Sequence, residues 1–187
     1  MSHRQTQTRN LILAGLFSAL MIVGANLRIP FPLVPLTFQP FFAILSGLLL
    51  GASVGMVSQA AYLLLGLAGL PVFADGSAGL LYVTRPTFGF LIGFVLAAGV
   101  AGLLTRGTAK PTFKRVALAS LTGLGIIYGI GVLYMYLIQS LYLAMDVSLV
   151  VIVKGMLLFF LKDLLLFLAA SVLAMRLIPL LRRSQAK

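Results

Sequence analysis

The chain has 187 residues, of which 61% are hydrophobic and only 9% are charged, and its mean hydropathy is +1.13. A soluble domain carries about 25% charged residues, so this composition excludes an ordinary water-soluble protein. The net charge of +11 comes from 14 lysines and arginines against three acids. These cations stand in short clusters between long uncharged runs, which is typical of a polytopic membrane protein and argues against nucleic-acid binding.

The residue types that most enzymes and metal sites need are scarce. The chain has no cysteine, and its single histidine is His3 in the polar N-terminal tail. Disulfides, cysteine-ligated zinc and thiol catalysis are therefore excluded. The sequence also lacks the GxxxxGK[ST] motif that binds ATP phosphates, so uphill transport would need a partner protein or an ion gradient. We predict a protein that is not an enzyme and that holds neither a metal nor a cofactor.

Six predominantly apolar runs are predicted to form helices in the membrane, whose hydrocarbon core of about 30 Å needs roughly 20 apolar residues per span. A cleaved signal peptide is the alternative for the first run, but the run is long and no convincing cleavage site follows it. The predicted fold class is therefore all-α. Because the sequence has no internal repeat and no linker between domains, we predict one six-helix transmembrane domain over residues 1–187. The predicted helices cover residues 11–27, 41–50, 56–70, 88–105, 116–145 and 149–181.

Two apolar segments are predicted to be loops that cap a pocket. Residues 29–40 contain prolines every two to five positions, which prevents a regular helix. Residues 71–87 form a second irregular segment, which contains Asp75, Gly76 and Arg85. Non-helical backbone in a membrane protein is tolerated where protein buries it or where it lines a cavity. We therefore favour capping loops over ordinary connectors.

The distribution of positive charge predicts the orientation in the membrane. Six spans place both termini on one side, and ten cations fall on that side against Arg28 and Arg85 on the other. By the positive-inside rule, both termini are predicted to be cytoplasmic and the two capping loops to face outward, in a multi-pass membrane protein. The ten cations are Arg4, Arg9, Arg106, Lys110, Lys114, Arg115, Arg176, Arg182, Arg183 and Lys187.

The sixth predicted helix carries three charges inside the membrane, namely Lys154, Lys162 and Asp163. A charge at the bilayer centre costs about 2.5–3.5 kcal/mol on insertion scales, and such residues commonly face a cavity. Asp163 lies near the middle of the span, so we predict a role in a pocket. A structural ion pair, with Lys162 or with another helix, is the alternative. Lys154 either extends to the outer interface or contacts a ligand, and the sequence favours neither.

Gln59 and Tyr62 are three positions apart and therefore share one face of the third predicted helix. Their amide and phenol groups suit either a ligand or a neighbouring helix, and both interpretations stay open.

Small residues recur at a spacing of four in the first predicted helix, as Ala14 with Ser18 and Gly15 with Ala19. This spacing lets two helices approach closely. It is consistent with packing inside the bundle or with docking on another subunit.

Four segments, in order along the chain, resemble the BioY family, the biotin-specific substrate-binding (S) components of energy-coupling factor (ECF) vitamin transporters. Residues 34–39 read VPLTFQ, similar to the family's VPITLQ. Residues 58–74 contain SQAAYLLLG and GLPVFA, which match SQxxYLLLG and GLPVFA. Residues 85–90 read RPTFGF, similar to GPTGGY, and residues 159–165 resemble FxPGDLLK.

This resemblance implies high-affinity biotin binding and uptake across the bacterial cytoplasmic membrane, in a six-helix bundle whose loops cap a pocket near the outer face. It also implies that the small residues of the first helix dock on a transmembrane coupling subunit, and that two cytoplasmic ATPases supply energy. Asp163 takes the place of the family's aspartate and is implied to contact biotin. The chain departs from the family pattern at Leu166, where a lysine is expected, at Asp75, where glycine is usual, and at Arg85.

The chemistry of biotin suggests roles for these side chains. Asp163 would accept ureido N–H bonds, Gln39 or Gln59 would satisfy the remaining polar groups, and aromatic rings would cover the bicyclic ring. Arg85 or Lys154 would bind the carboxylate. Lys162, in preference to Lys154, would replace the lysine missing at position 166. The predicted ligand-binding residues are Asp163, Lys162, Lys154, Arg85, Gln39, Phe38, Gln59, Tyr62, Phe73, Gly76, Tyr82 and Thr87.

Other functions compete with this interpretation. A solitary proton-linked carrier would use Asp163 as its proton site. An S component for a different vitamin would share the fold. A lipid-modifying membrane enzyme would need more acids or a histidine near the interface than this chain offers. A purely structural subunit would need neither Asp163 nor two elaborate loops.

Overall fold

The computed structural model describes residues 3–30, 34–107 and 111–183, and most of these residues are α-helical. Lys110 and Lys187, two of the predicted cytoplasmic cations, lie outside the described residues, and the side chains of Arg182 and Arg183 are not described. The elements are α1 (His3–Asn26), β1 (Arg28–Ile29), β2 (Leu36–Thr37), α2 (Gln39–Leu50), α3 (Ala52–Leu67), α4 (Phe88–Leu104), α5 (Phe113–Leu137) and α6 (Leu149–Arg183).

All six predicted helices are present, but several of their ends were predicted wrongly. α1 begins at His3 rather than at residue 11, because residues 3–10 contain no helix breaker and include good helix formers. α3 begins at Ala52 rather than at residue 56, because Gly51 alone makes the turn from α2. Its φ of +83° lies in the left-handed region that favours glycine. α5 ends at Leu137 and is followed by a π-helical turn that stops at residue 142, short of the predicted 145.

The helices differ in how far they can reach across a bilayer. Three segments are long and apolar enough to cross it, namely Arg4–Asn26, Phe113–Tyr142 and Leu149–Leu181. α2, α3 and α4 have 12, 16 and 17 residues, which corresponds to about 18–26 Å. Within the described residues, the bundle therefore combines three long apolar helices with three shorter ones.

The short helix α2 is the centre of the bundle, because it contacts all five other helices. Ala43 and Ile44 are completely buried in this core. Glycines allow the closest crossings. A β-carbon at Gly47 would overlap the backbone of Ala98 in α4, and one at Gly55 of α3 would lie 2.9 Å from the Cα of Gly47. The lack of side chains at these positions lets three backbones meet.

Two segments connect the helices at the end of the bundle where α2 begins. The first loop comprises residues 27–38, and the second loop comprises residues 68–87. The first loop is more regular than predicted, because its strands pair antiparallel, with Arg28 opposite Thr37 and Ile29 opposite Leu36. This pair is a small departure from the all-α prediction. The second loop contains two short 3₁₀ turns, Ala74–Gly76 and Leu80–Thr84.

Candidate ligand-binding site

A cavity of about 280 Å³ lies between the two loops and the helices α2, α4, α5 and α6. This volume is just below the range of about 300–1,000 Å³ that is usual for small-molecule sites. The wall is mixed, with a few polar groups set among apolar ones. The polar lining residues are Thr37, Gln39, Asp75, Tyr82, Arg85, Thr87, Tyr128, Lys162 and Asp163, and the apolar ones are Val34, Pro35, Pro40, Ala74, Pro86, Phe90, Leu91, Phe94, Met156 and Phe159.

Asp163 is the centre of a charged cluster in the cavity wall. Its side chain is 4% exposed, and its Oδ1 lies 2.6 Å from the ammonium nitrogen of Lys162. The hydroxyl of Tyr128 donates a hydrogen bond of 2.8 Å to the other carboxylate oxygen. Lys162 also donates to the backbone carbonyl of Thr37, at 2.6 Å. A carboxylate offers about four lone-pair positions, so these two contacts leave Asp163 the capacity to accept further N–H bonds.

Aromatic rings support the cavity wall on two sides. Tyr82 lies on the cavity, with Phe73 packed behind it at a centroid distance of 4.3 Å. On the other side, the ring of Tyr128 packs edge-on between Phe90 and Phe160, at 5.8 and 5.4 Å. Such contacts hold the ring of Tyr128 in the orientation that directs its hydroxyl to the carboxylate.

Hydrogen bonds from the helices anchor the second loop. The hydroxyl of Tyr62 accepts a bond from Gln39 and donates to the carbonyl of Val72, at 2.8 and 3.0 Å. From α5, the hydroxyl of Tyr134 donates to the carbonyl of Val83 at 2.6 Å. The loop is therefore fixed at two separated carbonyl groups, which positions its cavity-lining residues.

Charged residues of the loops lie at the rim of the cavity. Arg85 is exposed, and its guanidinium lies 5.2 Å from the centre of the Tyr82 ring, within the range of a cation–π contact. Arg28 of the first loop forms an ion pair with Asp75 of the second loop. The rim thus combines a cation on the cavity wall with an ion pair between the loops.

Six of the twelve predicted ligand-binding residues line this cavity, and six lie outside its described wall. Gln59 is buried and donates to the hydroxyl oxygens of Ser46 and Ser58, both at 3.1 Å, so it joins α3 to α2. Spacing alone had left this packing role and a ligand role open. Lys154 is an exposed residue of α6. The lining residues are Asp163, Lys162, Arg85, Gln39, Tyr82 and Thr87, and the others are Lys154, Phe38, Gln59, Tyr62, Phe73 and Gly76.

The small residues of α1 divide between two faces. Ala14 and Ser18 are buried inside the chain, and the hydroxyl of Ser18 lies 2.7 Å from the carbonyl of Ser58 in α3, as the donor of a hydrogen bond. Gly15 and Ala19 are exposed, and a β-carbon at Gly15 would have no described atom within 4 Å. Of the four predicted docking residues, only Gly15 and Ala19 are therefore accessible to a partner.

Part of the cavity wall lies outside the predicted set of ligand-binding residues. Tyr128 is not among them, although its hydroxyl donates a hydrogen bond to Asp163. Phe90 and Phe94 are four residues apart on α4 and share a face that lines the cavity. Their spacing of four could have identified the common face. Because α4 is apolar on all sides, however, the spacing does not show what that face contacts.

Comparisons with known proteins agree on one family. A family model described as the BioY family matches residues 1–183. A "Probable biotin transporter BioY" of Lysinibacillus sphaericus is 42% identical over 184 residues, which cover 98% of this chain and 93% of that protein. A "Biotin transporter BioY" of Thermotoga maritima is 47% identical over 124 residues, which cover 66% of this chain and 72% of that protein.

The fold also matches a solved structure. The crystal structure of the S-component for biotin from an ECF-type ABC transporter has a TM-score of 0.69 to this chain. The two sequences are 23% identical, and the match covers 95% of this chain and 94% of the other. The similarity shows that the two chains share a fold.

Proposed function

This chain belongs to the BioY family, and from that premise we propose that it binds biotin with high affinity and takes it up as the S component of an ECF-type ABC transporter. The observation that carries the proposal is Asp163, a buried carboxylate with spare acceptor capacity in the wall of a cavity of about 280 Å³. The chain is a multi-pass protein of the cytoplasmic membrane and a transport component, not an enzyme.

We propose a single domain over residues 1–187 in which all six helices lie in the membrane and both termini are cytoplasmic. The excess of cations at the termini and between α4 and α5 supports this orientation. α2 is short for a span, but it is surrounded by the five other helices, so protein rather than lipid covers it. In this orientation the two loops cap the cavity on the outer face.

Biotin combines a neutral ureido group, an apolar ring system and a carboxylate. We propose that Asp163 accepts N–H bonds from the ureido group, while Tyr82 and Phe90 cover apolar surface. The ion pair with Lys162 makes this part of the wall electrically neutral overall, which suits a neutral ureido group. Lys162 thereby supplies the ammonium group that Leu166 does not.

Arg85 is the proposed partner of the biotin carboxylate, because it is a cation on the cavity wall at the rim. Replacing Arg85 with alanine is expected to weaken biotin binding by about three- to tenfold, less than a fully buried charged hydrogen bond would cost, because solvent screens this side chain. Binding of biotinamide, which lacks the carboxylate charge, is expected to change little. Equilibrium titration of both ligands checks this.

Lys154 provides the matched control, since it is an exposed cation outside the described cavity wall. Lys154→Ala is expected to leave both affinities unchanged. If Arg85→Ala weakens both ligands equally, the carboxylate does not bind at Arg85. If Lys154→Ala weakens biotin alone, Lys154 takes that role instead.

The proposed function is tested by binding of radiolabelled biotin to the purified chain alone in detergent. Saturable binding that unlabelled biotin displaces, and that thiamine and riboflavin do not displace, is the expected result. Displacement by another vitamin but not by biotin would assign the chain to a different substrate. No binding of any of these vitamins would contradict the proposed function.

A coupling subunit and two ATPases are the proposed partners, with the exposed Gly15 and Ala19 of α1 as the docking face. Gly15→Leu is expected to abolish biotin uptake in cells that contain the energising module, while binding to the purified chain persists. Uptake that continues without any ATPase and stops when the proton gradient collapses would favour the solitary carrier instead.

A further inference from the structure

An ion pair joins the two loops at the rim of the cavity. It links Arg28 in β1 of the first loop to Asp75 in the first 3₁₀ turn of the second loop. The two side chains are 33% and 49% exposed, so water and salt reach the pair. An ion pair in this setting is weak in energy, but it connects two chain segments that are far apart in sequence.

Arg28 is connected to the charged cluster of the cavity through Thr37. In the strand pair it lies opposite Thr37, whose carbonyl accepts the hydrogen bond from Lys162. The first loop is therefore bound on one side to α6, next to Asp163, and on the other side to Asp75. The ion pair completes a continuous set of contacts from the buried carboxylate to the second loop.

Asp75 would be unfavourable in the cavity wall without a partner. It is one of the lining residues, so a bare carboxylate there would repel an anionic ligand. Its backbone is also in the left-handed region, with φ of +73°, where glycine is favoured and aspartate is tolerated. The contact with Arg28 offsets both disadvantages.

We infer that Arg28 and Asp75 are positioning residues for ligand retention. Their ion pair holds the two loops together over the cavity. It also neutralises the carboxylate of Asp75, which an anionic ligand would otherwise meet at the rim of the cavity. The inference rests on the proposed function, because its ligand is biotin. Two separate kinetic effects are expected. Loss of the ion pair speeds dissociation of any ligand. Loss of Arg28 alone leaves the Asp75 carboxylate without its partner and slows association of an anionic ligand.

The test measures association and dissociation rates of biotin and biotinamide on the purified full chain with Arg28→Gln, Asp75→Asn and the double variant. Each single variant is expected to release biotinamide about two- to fivefold faster, and the double variant no faster than either. Arg28→Gln alone is expected to slow biotin association, by about two- to threefold, and adding Asp75→Asn is expected to restore it. Biotinamide association stays unchanged throughout.

Salt provides an independent readout. Raising the ionic strength to about 0.5 M is expected to speed release from the unmodified chain towards the rate of the variants, which themselves respond little. Asp75→Gly removes the same carboxylate and suits the left-handed backbone, so it serves if Asp75→Asn folds poorly. A merely structural role would not give the selective rescue of biotin association.

The inference and the proposed function fail in different ways. If the unmodified chain binds biotin but the variants leave release rates unchanged, or if the effects of the single variants simply add, the ion pair does not retain the ligand and the proposed function stands. If the unmodified chain does not bind biotin or biotinamide at all, both are overturned.

Discussion

Replacing Asp163 with asparagine is expected to weaken biotin binding by at least about tenfold, the loss that corresponds to one hydrogen bond to a charged group. The amide has almost the same shape as the carboxylate, so the cavity keeps its volume. It presents only one acceptor oxygen, however, and Lys162 already lies 2.6 Å from Oδ1. Too little acceptor capacity then remains for the ureido N–H groups. Titration calorimetry or radioligand binding on the purified chain measures the change.

Asp146→Asn is the matched control, because Asp146 is an exposed acid outside the described cavity wall and undergoes the same chemical change. It is expected to bind biotin like the unmodified chain. Unchanged affinity in Asp163→Asn would remove Asp163 from the binding site while leaving biotin as the ligand. A lower melting temperature without ligand, together with unchanged affinity, would assign the carboxylate to the structural ion pair that the sequence left as an alternative.

The ion pair between Lys162 and Asp163 does not by itself decide between those two roles. A purely structural pair would have no need of a neighbouring cavity, yet both side chains line one. The ammonium group of Lys162 also donates a hydrogen bond of 2.6 Å to the carbonyl of Thr37 in the first loop. The same ammonium group therefore orients the carboxylate and fixes a loop of the cavity, which is consistent with a binding site assembled from both.

The helices were predictable because uncharged runs in a membrane chain have few other possible structures. Their ends were less predictable, because hydropathy reports where apolar residues stop and not where a helix stops. Residues 3–10 are polar and still helical. The turn at Gly51 depends on a single residue with positive φ, and the second glycine at position 55 made a longer turn equally consistent with the sequence.

The role of a side chain in the site was predictable where its residue type has few other roles inside a membrane helix. A lone acid in the sixth helix indicated a pocket, and Asp163 lines one. Gln59 and Tyr62 show the limit of such reasoning, because a spacing of three gives a shared face but not the neighbour that this face meets. One of them bonds to Ser46 in α2 and the other to the second loop. Only the tertiary packing shows that these polar groups bond to other protein groups and not to a ligand.

The face of α1 could not be chosen from sequence for a similar reason. The two pairs of small residues, Ala14 with Ser18 and Gly15 with Ala19, have the same spacing and differ by one step around the helix. The structure buries the first pair against α3 and leaves the second exposed. A sequence pattern that permits close packing does not say which of two adjacent faces is already occupied.

Gly47→Ala is expected to be among the most destabilising single-methyl additions in the bundle, lowering the melting temperature by at least about 5 °C. The new β-carbon would overlap the backbone carbonyl of Ala98, which cannot rotate away as a flexible side chain can. Gly55 of α3 also packs against Gly47, so a shift of α2 would disturb its packing on α3 as well. Thermal unfolding of the purified chain, followed by the loss of its monodisperse peak, measures the effect.

Gly125→Ala makes the same chemical change in α5, where a β-carbon would have no described atom within 4 Å. Alanine favours a helix interior over glycine by about 0.5–1 kcal/mol, so this variant is expected to match or exceed the stability of the unmodified chain. The two variants should therefore move the melting temperature in opposite directions. Equal shifts would mean that the three backbones do not meet at Gly47, and the position of α2 at the centre of the bundle would have to be revised.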